Sequence, residues 1–167
     1  MEALIRLFGN ICRFKKGPED VPSSLNLLLA LLICNLIIEM FLGLTVYSIG
    51  LAFFLTSLSV IVLFAFSWVW LLLFQLKERF LQTATAFIGI SLFTNILCFI
   101  PVTLLWQMGV LVDNSYALVN LVLLIWILSI YAHIYKRALN VSFFLGLALS
   151  ITYFITFSTL SNYLMGV

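Results

Sequence analysis

The chain has 167 residues, of which 65% are hydrophobic and only 8% are charged, and its formal net charge is +2. A soluble domain of this size carries about a quarter charged residues, so this chain has too little polar surface to cover a water-soluble fold. The composition therefore predicts an integral membrane protein. The small net charge gives no reason to expect a nucleic-acid partner, and membrane lipids and other membrane proteins are the expected partners.

The cysteine and histidine content excludes several kinds of site. Cys12, Cys34 and Cys98 are far apart and odd in number, which supports neither a disulfide framework nor a zinc site. The single histidine, His133, excludes a bis-histidine haem or a zinc–histidine cluster supplied by this chain alone. No cofactor and no metal ion is expected.

Residues 1–14 are predicted to form an amphipathic helix. Its polar residues recur every three or four positions and are Glu2, Arg6, Asn10 and Arg13. This division is typical of a helix that lies in the membrane interface. We assign 1–22 to a cytoplasmic helix and linker, which serves either as an anchor or as a docking surface for a partner. The next apolar run is too long for a signal peptide, and no cleavage site closes it.

Five apolar runs follow, each reaching the ~20 residues needed to cross a bilayer. The predicted spans within the membrane domain (23–167) are 24–46, 51–76, 83–107, 116–135 and 140–164. In the third, Pro101 removes the backbone hydrogen bond to the carbonyl of Leu97, so a kink is expected there. The predicted fold class is an all-α integral membrane bundle of five transmembrane helices with an N-terminal interfacial amphipathic helix.

The placement of charge predicts the topology. All eight lysines and arginines lie before the first span, between the second and third, or between the fourth and fifth. With five spans these three regions share one side of the membrane, and the other side has no basic residue. The positive-inside rule then predicts a cytoplasmic N-terminus and a periplasmic C-terminus in a bacterial inner membrane.

Glu39 is the only carboxylate within a predicted span. A carboxylate at membrane depth is costly and is expected to face protein or water. Asn35 and Gly43 lie one turn away on the same helix face, and Asn95 and Asn120 are polar residues of other spans. These asparagines and Glu39 form the candidate intramembrane polar site. Three roles stay open: a neutral Glu39 that ties helices together, a proton- or cation-coupled site, and a contact with a partner subunit.

Small residues at four-residue spacing allow helix backbones to approach closely. The candidate packing residues are Gly43, Thr85, Gly89, Ser142, Gly146 and Ser150. A second row on the fifth span comprises Ala148, Thr152 and Thr156. The sequence leaves open whether these contacts are internal or made with another chain.

A group of basic residues is expected at the cytoplasmic rim. Its members are Lys77, Arg79, His133, Lys136 and Arg137. Attraction to anionic lipid headgroups explains such a group. A specific headgroup or an acidic loop of a partner is the alternative.

The signatures of enzymes are absent. The sequence has no nucleophile elbow, phosphate-binding loop, dinucleotide-binding glycine pattern or zinc-protease helix. We therefore expect no catalytic residues and no enzymatic activity.

The layout resembles the Yip family of small membrane proteins, in particular its uncharacterised bacterial branch. Lys15–Pro22 (KKGPEDVP) looks like the glycine-proline-acidic-proline segment of proteobacterial members, and Arg79–Ala84 (RFLQTA) looks like the start of the family's third span. The resemblance implies five closely packed spans after a short cytoplasmic segment. Eukaryotic members act in vesicle traffic with small GTPases through a longer cytoplasmic region, so that activity is not implied here.

These observations favour a non-catalytic inner-membrane protein that acts as an accessory, assembly or scaffold subunit, or as a homo-oligomer. The first alternative is a small carrier or channel that uses the polar site around Glu39. The second alternative is a lipid-binding or membrane-organising protein.

Overall fold

The structure is a computed structural model that describes residues 2–165. Met1, Gly166 and Val167, which the predicted segments 1–22 and 23–167 include, lie outside the described residues. The helices are α1 (Glu2–Cys12), α2 (Leu25–Gly43), α3 (Ile49–Leu73), α4 (Phe80–Thr94), α5 (Ile100–Gln107), α6 (Asp113–Leu139) and α7 (Phe143–Met165).

Five helical segments of residues 2–165 are long and apolar enough to cross a membrane. Four of them are α2, α3, α6 and α7. The remaining one, Lys77–Gln107, combines a short 3₁₀ turn, α4, a π-helical turn at Asn95–Phe99 and α5. The predicted all-α bundle of five spans behind a short N-terminal helix is confirmed.

The ends of the helices differ from the predicted spans by a few residues. The fourth span is the largest difference, because 116–135 was expected and α6 runs over Asp113–Leu139. It ends where Asn140 takes a left-handed backbone conformation with φ of 57°, which asparagine tolerates better than most residues. The basic last turn of α6, with Lys136 and Arg137, is helical because cations are favourable beside the free carbonyls of a helix C-terminus.

The π-helical turn stands directly before Pro101. A proline cannot donate to the carbonyl four residues back, so the regular helical ladder fails at this point. The helical turn widens by one residue instead, and the N–H of Ile100 donates to the carbonyl of Asn95, five residues back. A π turn therefore stands where the kink was predicted, and it begins at the candidate site residue Asn95.

The N-terminal helix α1 packs onto α4. Its buried residues are Leu7, Phe8, Ile11 and Cys12. The ring of Phe8 occupies the space that a side chain at Gly89 would need. Burial raises the pKa of the Cys12 thiol to about 11, so this thiol is protonated and unreactive near neutral pH.

The transmembrane helices pack around two close contacts. Helix α7 lies along α6, where a side chain at Gly146 would collide with the backbone of Ala132 and Lys136. Helix α2 packs against both α4 and α3, and Gly43 of α2 faces Ala52 of α3. Glycine is needed at position 146 because the opposing atoms belong to the backbone and cannot rotate away.

We expect the cost of adding one methyl group to follow what it meets at each glycine. Gly146→Ala meets backbone and should lose about 3 kcal/mol, and Gly89→Ala meets a movable phenyl ring and should lose about 1 kcal/mol. Gly50→Ala is the matched control, since nothing lies within 4 Å of the added atom. Thermal unfolding in detergent measures the order. In a chain whose other two cysteines are serine, Gly89→Ala should also speed maleimide labelling of Cys12. Equal stability of all three variants would contradict the packing described.

Candidate polar site around Glu39

Glu39 lies in the second half of α2, and its carboxylate accepts hydrogen bonds from three helices. Asn35 Nδ2 on the same helix donates to Glu39 Oε1 over 3.0 Å. Ser91 Oγ of α4 donates to the same oxygen over 2.9 Å. Ser59 Oγ of α3 lies 3.1 Å from Glu39 Oε2. The carboxylate therefore joins α2, α3 and α4 at one point.

The hydroxyl of Ser59 has two acceptors within reach and one proton to give. Its Oγ is 2.8 Å from the carbonyl oxygen of Thr56 and 3.1 Å from Glu39 Oε2. When the proton goes to the closer carbonyl, Glu39 Oε2 has no donor in this network. That oxygen can then carry a proton of its own or meet a positively charged guest.

Asn95 supports the network from the π turn. It is buried, and its Nδ2 lies 3.4 Å from the Oγ of Ser91, which it thereby helps to hold against Glu39. Ser59 and Ser91 were not among the predicted site residues. Serines are common in transmembrane spans, and only the packing of α3 and α4 against α2 distinguishes these two.

Asn120 does not join the site. Its Nδ2 donates to the carbonyl oxygen of Tyr116 on its own helix over 2.9 Å, and it lines neither of the two cavities that reach Glu39. The prediction grouped it with Glu39 by depth alone. Depth in the bilayer does not determine which way a helix face points.

An open cavity of about 510 Å³ leads to Glu39 between α2, α3 and α7. It extends to Tyr47 after α2 and to Met165 at the end of α7, and we call this end of the bundle the Tyr47 end. The polar residues of its lining are Glu39, Tyr47, Thr56, Ser59, Ser158, Ser161 and Asn162. Phe154 and Phe157 add aromatic rings. Cavities of about 300–1,000 Å³ are typical of small-molecule sites.

A second, small chamber of about 40 Å³ lies on the other side of the carboxylate. Its lining includes Asn35, Glu39, Ser59, Ser91, Tyr131 and Tyr153. Beyond it the interior is packed. The ring centroid of Phe87 lies 4.8 Å from that of Tyr131 and 4.9 Å from that of Tyr135. The path is therefore open toward the Tyr47 end and closed toward the opposite end.

The opposite end collects the basic residues, and we call it the basic end. Arg79 Nη1 donates to the carbonyl oxygen of Ala138 at the C-terminus of α6 over 3.2 Å. Arg137 forms an ion pair with Glu19 of the linker. His133 is buried, and its Nε2 donates to the carbonyl oxygen of Lys16 over 2.9 Å. The last two contacts tie the linker to α6, and its short turn Pro18–Asp20 also packs against α4.

This arrangement changes the reading of the predicted basic rim. The side chains of Arg79, His133 and Arg137 have partners within the chain, which their prediction as headgroup contacts did not include. Lys77, Lys136 and Arg137 are exposed. Headgroup contact by the basic group stays a prediction.

The predicted packing residues divide into two groups. Gly43, Thr85, Gly89, Gly146 and Ser150 lie inside the chain against neighbouring helices or within the core. Ser142 is exposed, and its Oγ accepts a hydrogen bond from the N–H of Leu145, so it caps α7 and does not pack. The second row, Ala148, Thr152 and Thr156, is exposed on the surface of α7.

Residues 2–165 contain no group of three or more histidine, cysteine, aspartate or glutamate side chains that could hold a metal ion. We compared the chain with known proteins and found no relative. No protein-family model, curated protein or solved structure matches it.

Substitution of Glu39 tests its role in joining the helices. Glu39→Gln should be mild, because its carbonyl can accept from Asn35 and Ser91 while its amide donates to Ser59. Glu39→Leu leaves buried polar groups unpaired at about 1–3 kcal/mol each, so we expect a loss of about 2–4 kcal/mol. Unfolding in detergent gives the values. Asn120→Leu is the matched control and should change stability little. A Glu39→Leu variant as stable as wild type would contradict this role.

Proposed function

We propose that this protein is a small membrane carrier that binds a small organic cation at Glu39. The observation that carries the proposal is the open cavity of about 510 Å³ with the carboxylate of Glu39 at its inner part. A cavity lined by one carboxylate, several hydroxyls and an asparagine offers hydrogen-bond acceptors to an ammonium group. Tyr47, Phe154 and Phe157 add ring faces, which attract cations.

The charge around the cavity supports the same class of solute. No lysine or arginine is among its lining residues in the part of the chain that the structure describes. An anionic solute would therefore meet an unbalanced carboxylate, while a cationic solute neutralises it. A charge at membrane depth is costly without such compensation.

The asymmetry of the bundle supports transport over binding alone. A carrier exposes its site to one side of the membrane at a time. Here the cavity opens at the Tyr47 end, and packed aromatic rings lie between Glu39 and the basic end. The π turn at Asn95–Phe99 interrupts the third span beside the site, and such turns often occur at functional sites.

Location and orientation are part of the proposal. We infer a bacterial inner membrane with the basic end in the cytoplasm, because basic residues collect on the cytoplasmic side of membrane proteins. The Tyr47 end then faces the periplasm. Membership of the Yip family stays a proposal that rests on two similar sequence segments. The absence of catalysis stays a proposal that rests on the lack of enzyme motifs in the sequence.

Uptake into liposomes tests the carrier. Radiolabelled tetraethylammonium and choline serve as probes, with gluconate as an anionic and glucose as an uncharged control solute. We expect saturable uptake of at least one cation. Neither control solute should enter faster than it enters protein-free liposomes. Glu39→Gln keeps the fold and removes the charge, so it should reduce uptake at least tenfold, whereas Asn120→Ala should transport normally. Uptake no faster than in protein-free liposomes, or undiminished by Glu39→Gln, would exclude the proposal.

A second candidate function is association with another membrane protein or a second copy, as an accessory or assembly subunit. The observation that favours it is the row of Ala148, Thr152 and Thr156, which is exposed on α7 and would let another helix approach closely.

Extraction in a mild detergent tests this second candidate. The wild-type protein should elute with a partner chain or as a dimer, and Thr152→Leu should release it because the larger side chain separates the helices. Val122→Leu on the exposed face of α6 is the control and should leave the assembly intact. A monodisperse monomer without a co-purifying chain would argue against it.

A further inference from the structure

The small chamber behind Glu39 is lined by oxygen-bearing side chains from five helices. Asn35 and Glu39 come from α2, Ser59 from α3, Ser91 from α4, Tyr131 from α6 and Tyr153 from α7. Its volume of about 40 Å³ has room for one guest the size of a water molecule. Val60, Leu63 and Ile88 complete the lining and keep the rest of it apolar.

One of these oxygen atoms has no partner. The side chain of Asn35 is only 1% exposed, and its Nδ2 is committed to Glu39. Its Oδ1 finds no hydrogen-bond donor among residues 2–165. A buried carbonyl oxygen without a partner is costly, so a hydrogen-bond donor or a cation is expected beside it.

The carboxylate of Glu39 has the same need. Its Oε1 accepts from Asn35 and Ser91, but Oε2 has a donor only when Ser59 turns its proton away from Thr56. No basic side chain lines the chamber in the described part of the chain. A single cation would neutralise the carboxylate and also coordinate Asn35 Oδ1. A proton on Glu39 Oε2 would neutralise the carboxylate without filling the chamber, and a water molecule alone would leave the negative charge uncompensated.

We propose that this chamber is a binding site for a sodium ion. Glu39 Oε2, Asn35 Oδ1 and the hydroxyls of Ser59, Ser91 and Tyr131 are its protein ligands. Hard cations bind oxygen atoms, and one carboxylate with neutral oxygens suits a single positive charge better than the charge of calcium or magnesium. Interrupted helices at membrane depth contribute to ion sites in other carriers, and here the π turn begins at Asn95, whose side chain holds Ser91.

The sodium site deepens the proposed function, and its role as a coupling site rests on that function. Glu39 and Ser59 line both the chamber and the open cavity. One negative charge cannot fully neutralise two cations, so sodium in the chamber and an organic cation in the cavity compete. Such competition would couple the exit of one to the entry of the other.

Thermal unfolding of the purified protein in detergent tests the site without any organic solute. We expect the melting temperature to be at least about 3 °C higher in sodium chloride than in potassium or caesium chloride at the same ionic strength. For each variant the melting temperature in sodium chloride is compared with that in potassium chloride, so a lower overall stability of the variant does not affect the result. Glu39→Gln and Asn35→Ala should lose the sodium-dependent shift, and Asn120→Ala should keep it.

Two results would overturn the proposal. One is a wild-type melting temperature that is equal in all three salts, including the case in which it varies with pH, since the chamber would then hold only water and Glu39 a proton. The other is a sodium shift that survives in Asn35→Ala and Glu39→Gln. If either variant fails to fold, Ser59→Ala replaces it and should reduce the shift. A sodium shift without uptake of organic cations would support the sodium site and exclude the carrier function. Uptake of organic cations without the sodium shift would support the carrier function and exclude the sodium site.

Discussion

The bundle depends on how one buried carboxylate is satisfied. Glu39 reaches donors on its own helix and on α3 and α4, and no one helix could supply them all. These hydrogen bonds join the three helices at one point and so favour one register between them. The same arrangement leaves Asn35 Oδ1 without a donor among residues 2–165 and leaves Glu39 Oε2 dependent on the shared hydroxyl of Ser59.

Stability alone does not explain why a carboxylate stands at position 39. A bundle selected for stability alone would have a leucine at position 39, with apolar neighbours on α3 and α4. The chain instead places an open cavity on one side of the carboxylate and a small polar chamber on the other. Packing is tight at Gly146 and Phe87 and loose around Glu39, and the proposed binding of a ligand rests on this contrast.

Much of the fold was predictable because the signals are local. Hydrophobic runs, basic residues at one end and Pro101 predicted five spans and an interruption in the third. The Asn35–Glu39 pair was also predictable, since residues four apart share a helix face. Ser59 and Ser91 were not, because their meeting with Glu39 depends on how three helices rotate and slide against one another. The contacts that Arg79 and Arg137 make within the chain were not predictable either, because the sequence does not show that the linker folds back onto α6.

That returning linker imposes an order on biosynthesis. His133 holds the carbonyl of Lys16, a residue made 117 positions earlier, and Phe8 seats on Gly89 of the third span. Both contacts of this helix and linker are with spans that are synthesised later. The helix and linker therefore reach their final position only after the third and fourth spans have been made.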